Sequence, residues 1–175
     1  SLCDWSSDVC SSDLRWGCEH YLAATSSASL LRHRLGNQID LQSLEYGELL
    51  RMGDATISLH TAGHILGSAQ VRIEVAGQVA LITGDYKLQA DPTCSAWEPQ
   101  RCDLLVTEST FGLPVFRWPS TEQVIDEIAG WWQENQLAGR TSVLLAYSVG
   151  KSQRIIAELL KKLGSEAAHE MAVHG

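Results

Sequence analysis

Alternating and unbroken apolar runs mark the strands of this 175-residue chain. Residues 69–75 alternate apolar and polar side chains, which is the period-two pattern of a half-buried strand. Gly77 then turns the chain into a mostly apolar run at 78–83, so the two runs predict a hairpin. Three shorter apolar runs also predict strands, and the last two of them are apolar enough to be buried: 55–60, 104–107 and 142–147.

Helical periodicity appears in three other places. Ser120 and Gln123 have the spacing of a capping box, and apolar residues then recur at helical intervals until Gly139. The other two predicted helices cover residues 24–35 and 151–163, and each is followed by a glycine suited to a helix end. The pattern therefore predicts an α/β chain, rich in strands at first and α-β-α in order from about residue 120.

Composition limits the class of protein. A hydrophobic content of 45% and a charged content of 19% are typical of a globular protein, and no apolar run approaches the roughly 20 residues of a membrane span. The net charge of −8 disfavours a module that grips nucleic acid by bulk electrostatics. It does not disfavour a metallonuclease, because bound dications supply local positive charge. Five cysteines without a CxxC pair favour a reduced, cytoplasmic protein without a cysteine zinc site.

The first fourteen residues differ from the rest of the chain. Residues 1–14 (SLCDWSSDVCSSDL) show no secondary-structure period and nearly repeat Ser-Ser-Asp. They resemble the translated adaptor text found at the ends of some assembled gene fragments. We therefore predict that they are a non-native tail and that a native segment preceded Arg15; the alternative is a disordered polar tail.

Three chemically active residues follow predicted strands. His64 lies in a glycine-flanked loop after the run at 55–60, Asp85 follows the run at 78–83, and Glu108 follows the run at 104–107. Each residue alone has an ordinary structural explanation: a loop histidine with a satisfied hydrogen bond, an aspartate that caps a turn, and a glutamate paired with nearby groups. Together they favour one shared metal site, because imidazole and carboxylate are ligands that zinc accepts.

The same stretches carry a family resemblance. They resemble, in order and spacing, three motifs of the metallo-β-lactamase-fold nucleases with a β-CASP cap: 62–69 (AGHILGSA), 83–86 (TGDY) and 107–112 (TESTFG). Four further stretches resemble the bacterial branch of ligase-associated DNA exonucleases: 84–87 (GDYK), 91–94 (DPTC), 111–114 (FGLP) and 147–154 (YSVGKSQR).

The resemblance implies a fold and a division of the chain. The expected fold is an incomplete metallo-β-lactamase-like αββα sandwich followed by the start of a β-CASP cap. Residues 15–118 would form the partial core and residues 119–175 the start of the cap.

The resemblance also implies roles for five residues. His64 resembles a ligand to one of two zinc ions, and Asp85 resembles the carboxylate that bridges both. Glu108 resembles an acid that orients a later histidine near the leaving group. His60 either supports the metal ligands from behind or is structural. Lys87 either touches the nucleic-acid backbone or only solvates its loop.

The implied parent protein is a zinc-dependent DNA exonuclease of repair. Its expected partners are DNA, an ATP-dependent DNA ligase and a helicase, with no membrane. However, the family's His-x-His-x-Asp-His motif occurs nowhere in this chain, and neither His169 nor His174 matches the family's late histidines. We therefore expect the chain itself to be an inactive fragment.

Three alternatives remain. One is a hydrolase of the same fold that acts on RNA or on another ester, although small-ester relatives lack the cap that the α-β-α order suggests. Another is a scaffold fragment without catalysis. The third, a phosphate-binding loop at Gly150-Lys151-Ser152, is disfavoured because the required first glycine is replaced by Leu145.

Overall fold

The structure is a computed structural model that describes residues 18–172. The chain divides between Glu108 and Ser109 into two compact units. The predicted non-native tail at residues 1–14 lies outside the described residues. The assignment of a core to 15–118 and a cap to 119–175 stays a prediction.

The first unit contains two sheets. The elements of this unit are β1 (Tyr21–Ala24), α1 (Ala28–Leu35), β2 (Leu41–Leu44), β3 (Leu49–Met52), β4 (Ala55–Thr61), β5 (Ala69–Val75), β6 (Gln78–Ile82) and β7 (Leu104–Val106). A small parallel sheet pairs β1 with β2, and a 3-10 turn and helix α1 connect the two strands. The larger sheet has the order β3-β4-β5-β6-β7 and is antiparallel except for the parallel pair β6–β7.

Alternating side chains make these elements pack as three layers. Leu22 and Leu44 of the small sheet bury against Leu59 and Val71 of the larger sheet. On the other face of the small sheet, Tyr21 and Ala23 contact α1 through Leu31 and Leu35. Each buried leucine side chain contributes about 1.5–3 kcal/mol, so apolar burial between the layers fixes the register of β4 and β5. The predicted mixed α/β class is confirmed.

The second unit is helical. Helix α2 (Thr121–Leu137) begins with the predicted capping box, in which Ser120 accepts from the amide of Gln123 and Gln123 accepts from the amide of Ser120. Helix α3 (Lys151–Leu163) ends at Gly164 as predicted. The two helices bury Ile125, Ala129 and Leu159 against each other.

Three predictions of elements require correction. The helix predicted over 24–35 begins only at Ala28, because β1 continues to Ala24. The strand predicted at 104–107 forms, as β7, but it is exposed, because it is the edge of the sheet. The prediction of a buried strand at 142–147 is wrong, because this run has no regular structure and Leu145 is 94% exposed. A strand needs a pairing partner, and none pairs with this run among residues 18–172.

Candidate metal centre

The sheet topology brings the three candidate residues to the edge of the sheet that the carboxyl ends of the strands form. Strands β4 and β6 run in the same direction because each is antiparallel to β5, and β7 is parallel to β6. The carboxyl ends of these three strands therefore share one edge of the sheet. His64 follows β4, Asp85 follows β6 and Glu108 follows β7, so their backbone positions lie along that edge.

Ser68 closes the loop that carries His64. Its hydroxyl accepts from the amides of His64 at 3.1 Å and Ile65 at 3.2 Å, and its carbonyl accepts from the amide of Ala62. The same carbonyl accepts the hydroxyl of Tyr46 at 3.0 Å. Burial raises the pKa of the Tyr46 phenol, which keeps this donor protonated. These hydrogen bonds hold the two ends of the loop together and fix the backbone of His64, which is half-buried.

Two backbone hydrogen bonds hold the segment around Asp85. The amide of Thr83 donates to the carbonyl of Val106 at 2.9 Å, which ties the segment to β7. The amide of Lys87 donates to the carbonyl of Ala62 at 3.0 Å, which ties it to the end of β4. Asp85 lies between these two attachments and is half-buried.

Residues 84–98, which we call the strap, cross the end of β4. The amide of Glu98 donates to the carbonyl of Thr61 at 3.1 Å. Gln70 is fully buried, and its side-chain amide donates to the carbonyls of Thr61 at 2.9 Å and of Glu98 at 2.7 Å. Because a buried amide left without acceptors costs about 1–3 kcal/mol, Gln70 favours the arrangement in which the strap lies against β4.

Gly63 is the point of closest approach between the His64 loop and the strap. Its φ of +73° lies in the left-handed region. A Cβ at this position would lie 2.5 Å from the carbonyl oxygen of Lys87 and 2.8 Å from the amide of Trp97. Only glycine permits both the backbone conformation and this packing.

Lys87 has a partner within the strap. Its ammonium lies 2.9 Å from a carboxylate oxygen of Asp91, and the other oxygen accepts from the hydroxyl and amide of Thr93. Burial by itself would raise the pKa of Asp91, but the Thr93 and Lys87 contacts outweigh it and lower the pKa below its ordinary value. The choice between the two roles predicted for Lys87 stays a prediction.

His60 is held at both ring nitrogens. Nε2 lies 3.0 Å from the hydroxyl of Ser58, and Nδ1 lies 3.4 Å from a carboxylate oxygen of Glu98. Its side chain is 12% exposed. His60 therefore links β4 to the strap as Gln70 does, and the choice between its two predicted roles stays a prediction.

The described residues do not complete a metal site. Among residues 18–172 no group of three His, Cys, Asp or Glu side chains is arranged to hold a metal ion. His64 and Asp85 are suitable donor types, but zinc requires about four ligands in good geometry. The residues present therefore do not fit a dinuclear zinc centre on their own. The ligand roles of His64 and Asp85 and the orienting role of Glu108 stay predictions.

The framework residues were absent from the sequence predictions. Gln70, Trp97 and Glu98 support the loops rather than perform chemistry. The sequence indicates only that Gln70 lies on the polar side of the alternating strand. In the structure Gln70 pairs with His60. Alternation predicts an exposed glutamine there, whereas the strap buries it.

Similarity to known proteins identifies the family. The chain is 34% identical over 143 residues to a probable DNA ligase of Opitutus terrae, an alignment that covers 81% of this chain and 14% of that protein. It is 35% identical over 74 residues to the endoribonuclease YSH1 of Kluyveromyces lactis, covering 41% of this chain and 10% of that one. It is 27% identical over 126 residues to the RNase aCSPSF2 of Saccharolobus solfataricus, covering 70% and 25%.

The chain belongs to the β-CASP nucleases of the metallo-β-lactamase fold. The ligase-named relative fits the ligase-associated bacterial branch of these β-CASP nucleases. The chain spans between a tenth and a quarter of the lengths of the three relatives. No family profile matches it.

Two further observations add little to this assignment to the β-CASP nucleases. A protein of unknown function from Enterococcus faecalis V583 aligns with a TM-score of 0.45 and 14% identity, over 66% of this chain and 33% of its own, which is too low to argue a shared fold. Within residues 18–172, none of the helices has the length and apolar character needed to cross a membrane.

Replacement of Gly63 tests the packing of the strap on the His64 loop. Gly63→Ala should lose roughly 1–2 kcal/mol from the left-handed backbone and about 1–3 kcal/mol more from the clash with Lys87 and Trp97. Gly77→Ala is the matched control, because its φ is +80° but a Cβ there meets nothing within 4 Å. Chemical denaturation measures both losses in the free energy of unfolding. Equal losses for the two variants would contradict the close approach.

Protonation of Asp91 tests the ion pair inside the strap. Because the folded-state pKa is lowered, ionised Asp91 stabilises the fold fully above its ordinary pKa of 3.8, and this stability disappears as the pH falls through the lowered value. The difference in unfolding free energy between wild type and Asp91→Asn should therefore be constant near neutral pH and shrink in acid. Asp54→Asn, in an exposed turn, is measured as the control. A difference for Asp91→Asn that persists in strong acid would refute this account.

Proposed function

We propose that the protein containing this chain is a metal-dependent nuclease that hydrolyses phosphodiester bonds of DNA as an exonuclease in repair. The observation that carries the proposal is the shared edge of the sheet at the carboxyl ends of the strands, where His64, Asp85 and Glu108 follow β4, β6 and β7 within three stretches that resemble ordered motifs of the β-CASP nucleases. The relatives named as nucleases support hydrolysis, and the ligase-named relative supports DNA as the substrate.

The proposed roles follow the chemistry of each side chain. His64 would hold a zinc ion through its imidazole and Asp85 would hold zinc through its carboxylate, and the bound metal would activate water and polarise the phosphate. Glu108 orients a histidine from elsewhere in the protein near the leaving group. Because the described donors do not complete the ligand set, no hydrolytic step is assigned to them alone.

The proposed setting of the protein rests on the same relative. An association with an ATP-dependent DNA ligase fits the name of the Opitutus terrae protein. A helicase partner belongs to the proposal through the branch resemblance, and a cytoplasmic location through the five cysteines without a CxxC pair.

A second candidate is RNA hydrolysis. Relatives from Kluyveromyces lactis and Saccharolobus solfataricus are named as ribonucleases, so the shared site is compatible with either nucleic acid. A third reading applies to this chain by itself: because its sequence lacks the His-x-His-x-Asp-His motif, it is a scaffold that does not catalyse.

Nuclease assays with metal analysis test the proposal. The 175-residue chain should release little or no product from end-labelled DNA or RNA, and a chelator should not change that rate, because the sequence lacks the His-x-His-x-Asp-His motif and residues 18–172 hold no complete ligand set. The native full-length protein should bind zinc and degrade DNA from an end in a chelator-sensitive way, and Glu108→Gln should slow it by about 10–100-fold.

Two results would overturn these expectations. Strong chelator-sensitive cleavage by the 175-residue chain, abolished by His64→Ala, would show that the site is already complete. A full-length protein whose cleavage is unaffected by His64→Ala, Asp85→Asn and Glu108→Gln would place the site elsewhere. Cleavage of RNA but not DNA would favour the second candidate.

A further inference from the structure

Three aromatic rings form an exposed cluster in the second unit. Phe111, Phe116 and Trp118 are 59%, 42% and 68% exposed. The ring of Phe111 lies edge-on to Phe116 at 5.2 Å and to Trp118 at 5.3 Å between centroids. The rings of Phe116 and Trp118 are 6.3 Å apart and parallel to within 6°. We call these three rings the aromatic cluster.

Two tight turns build the aromatic cluster. The amide of Gly112 donates to the carbonyl of Ser109 at 3.1 Å, and the amide of Phe116 donates to the carbonyl of Leu113 at 3.2 Å. A Cβ at Gly112 would lie 2.3 Å from the Ser109 hydroxyl, so the first turn requires glycine or a shift of that side chain. The rings are therefore held against one another while their outer faces stay accessible, which lowers the entropy lost when a planar ligand stacks on them.

The charge around the aromatic cluster suits a phosphate backbone. Arg117 is the single charged residue between Ser109 and Ser120. The chain up to Glu108 holds seven Lys and Arg against fourteen Asp and Glu, whereas the remainder holds six against seven. The net charge of −8 thus lies mostly on the first unit, and the unit with the aromatic cluster is nearly neutral. Exposed rings combined with an arginine are the elements that bind single-stranded nucleic acid without sequence preference.

We propose that the aromatic cluster is a stacking platform for unpaired bases of single-stranded nucleic acid, with Arg117 contacting the adjacent phosphate. The inference deepens the proposed nuclease function and rests on it for the choice of ligand. It needs no metal ion, since stacking and one arginine–phosphate contact are both independent of metal.

Binding of labelled oligothymidylate to the whole 175-residue chain tests the platform. Fluorescence anisotropy is recorded in excess EDTA, so that neither cleavage nor metal contributes, with arms for single-stranded DNA, single-stranded RNA, duplex DNA and an abasic strand of equal length. Single strands with bases should bind more tightly than the duplex and the abasic strand, because only they offer free base faces. Equal binding of the abasic strand would overturn the proposal.

Variants of Trp118 separate stacking from general apolar contact. Trp118→Leu keeps an apolar side chain but loses the ring, and it should weaken binding by about five-fold or more. Trp118→Phe keeps a ring and should stay within about two-fold of wild type. Leu113→Ala, at a similar exposure of 65% in the same segment, is the matched control and should not change binding. Thermal midpoints of all variants check that each is folded.

Contrary outcomes are distinct from failure of the nuclease proposal. Wild-type affinity in Trp118→Leu, or no binding of any single strand by wild type at low ionic strength, overturns the platform. So does self-association that Trp118→Leu abolishes while oligonucleotide binding is unchanged, since the aromatic cluster would then join two copies of the chain. Loss of cleavage in the metal assays, by contrast, leaves the EDTA measurement unaffected.

Discussion

The hydrogen bonds between the strap and the end of β4 determine where the candidate acid and imidazole groups lie. A sheet does not by itself fix the loops at its edge relative to one another, because each loop is connected only to its own strand. Here the strap passes from β6 across the end of β4, and the carbonyls of Thr61 and Ala62 accept from Glu98 and Lys87. The loops bearing His64 and Asp85 are therefore fixed by backbone contacts, before any metal ligand is considered.

The buried polar residues explain why this arrangement is specific. Gln70 and Ser58 are almost fully buried, and His60 is nearly so, yet all three face the strap side of β4 and β5 rather than the apolar core. If the strap moves away, Gln70 loses its hydrogen bond to the carbonyl of Glu98 and His60 loses its contact with the carboxylate of Glu98, and an unpaired buried polar group is costly. Leu59 and Val71, on the opposite face, meanwhile keep the strands in register. One sheet thus uses apolar burial on one face and hydrogen bonds to the strap on the other.

Local chemistry could be predicted from the sequence, whereas distant partners could not. The capping box of Ser120 and Gln123, the helix end at Gly164 and the strand β5 depend on neighbours in sequence, and all three are present. The run at 142–147 failed because its strand character depends on a pairing partner that its own residues do not specify. The edge position of β7 and the burial of Gln70 depend likewise on which segments come to lie beside them. The placement of the candidate site was accessible because strand ends were predicted, but the strap that fixes it was not.

Amide hydrogen exchange in the metal-free chain tests the central claim most directly. If the strap is fixed by its hydrogen bonds to β4, the amides of Lys87 and Glu98 should exchange much more slowly than those of the exposed residues 88–90 between them, without any metal present. Exchange of Lys87 and Glu98 as fast as that of residues 88–90 would show that the strap is not held by β4, and the geometry of the candidate site would then have no structural basis.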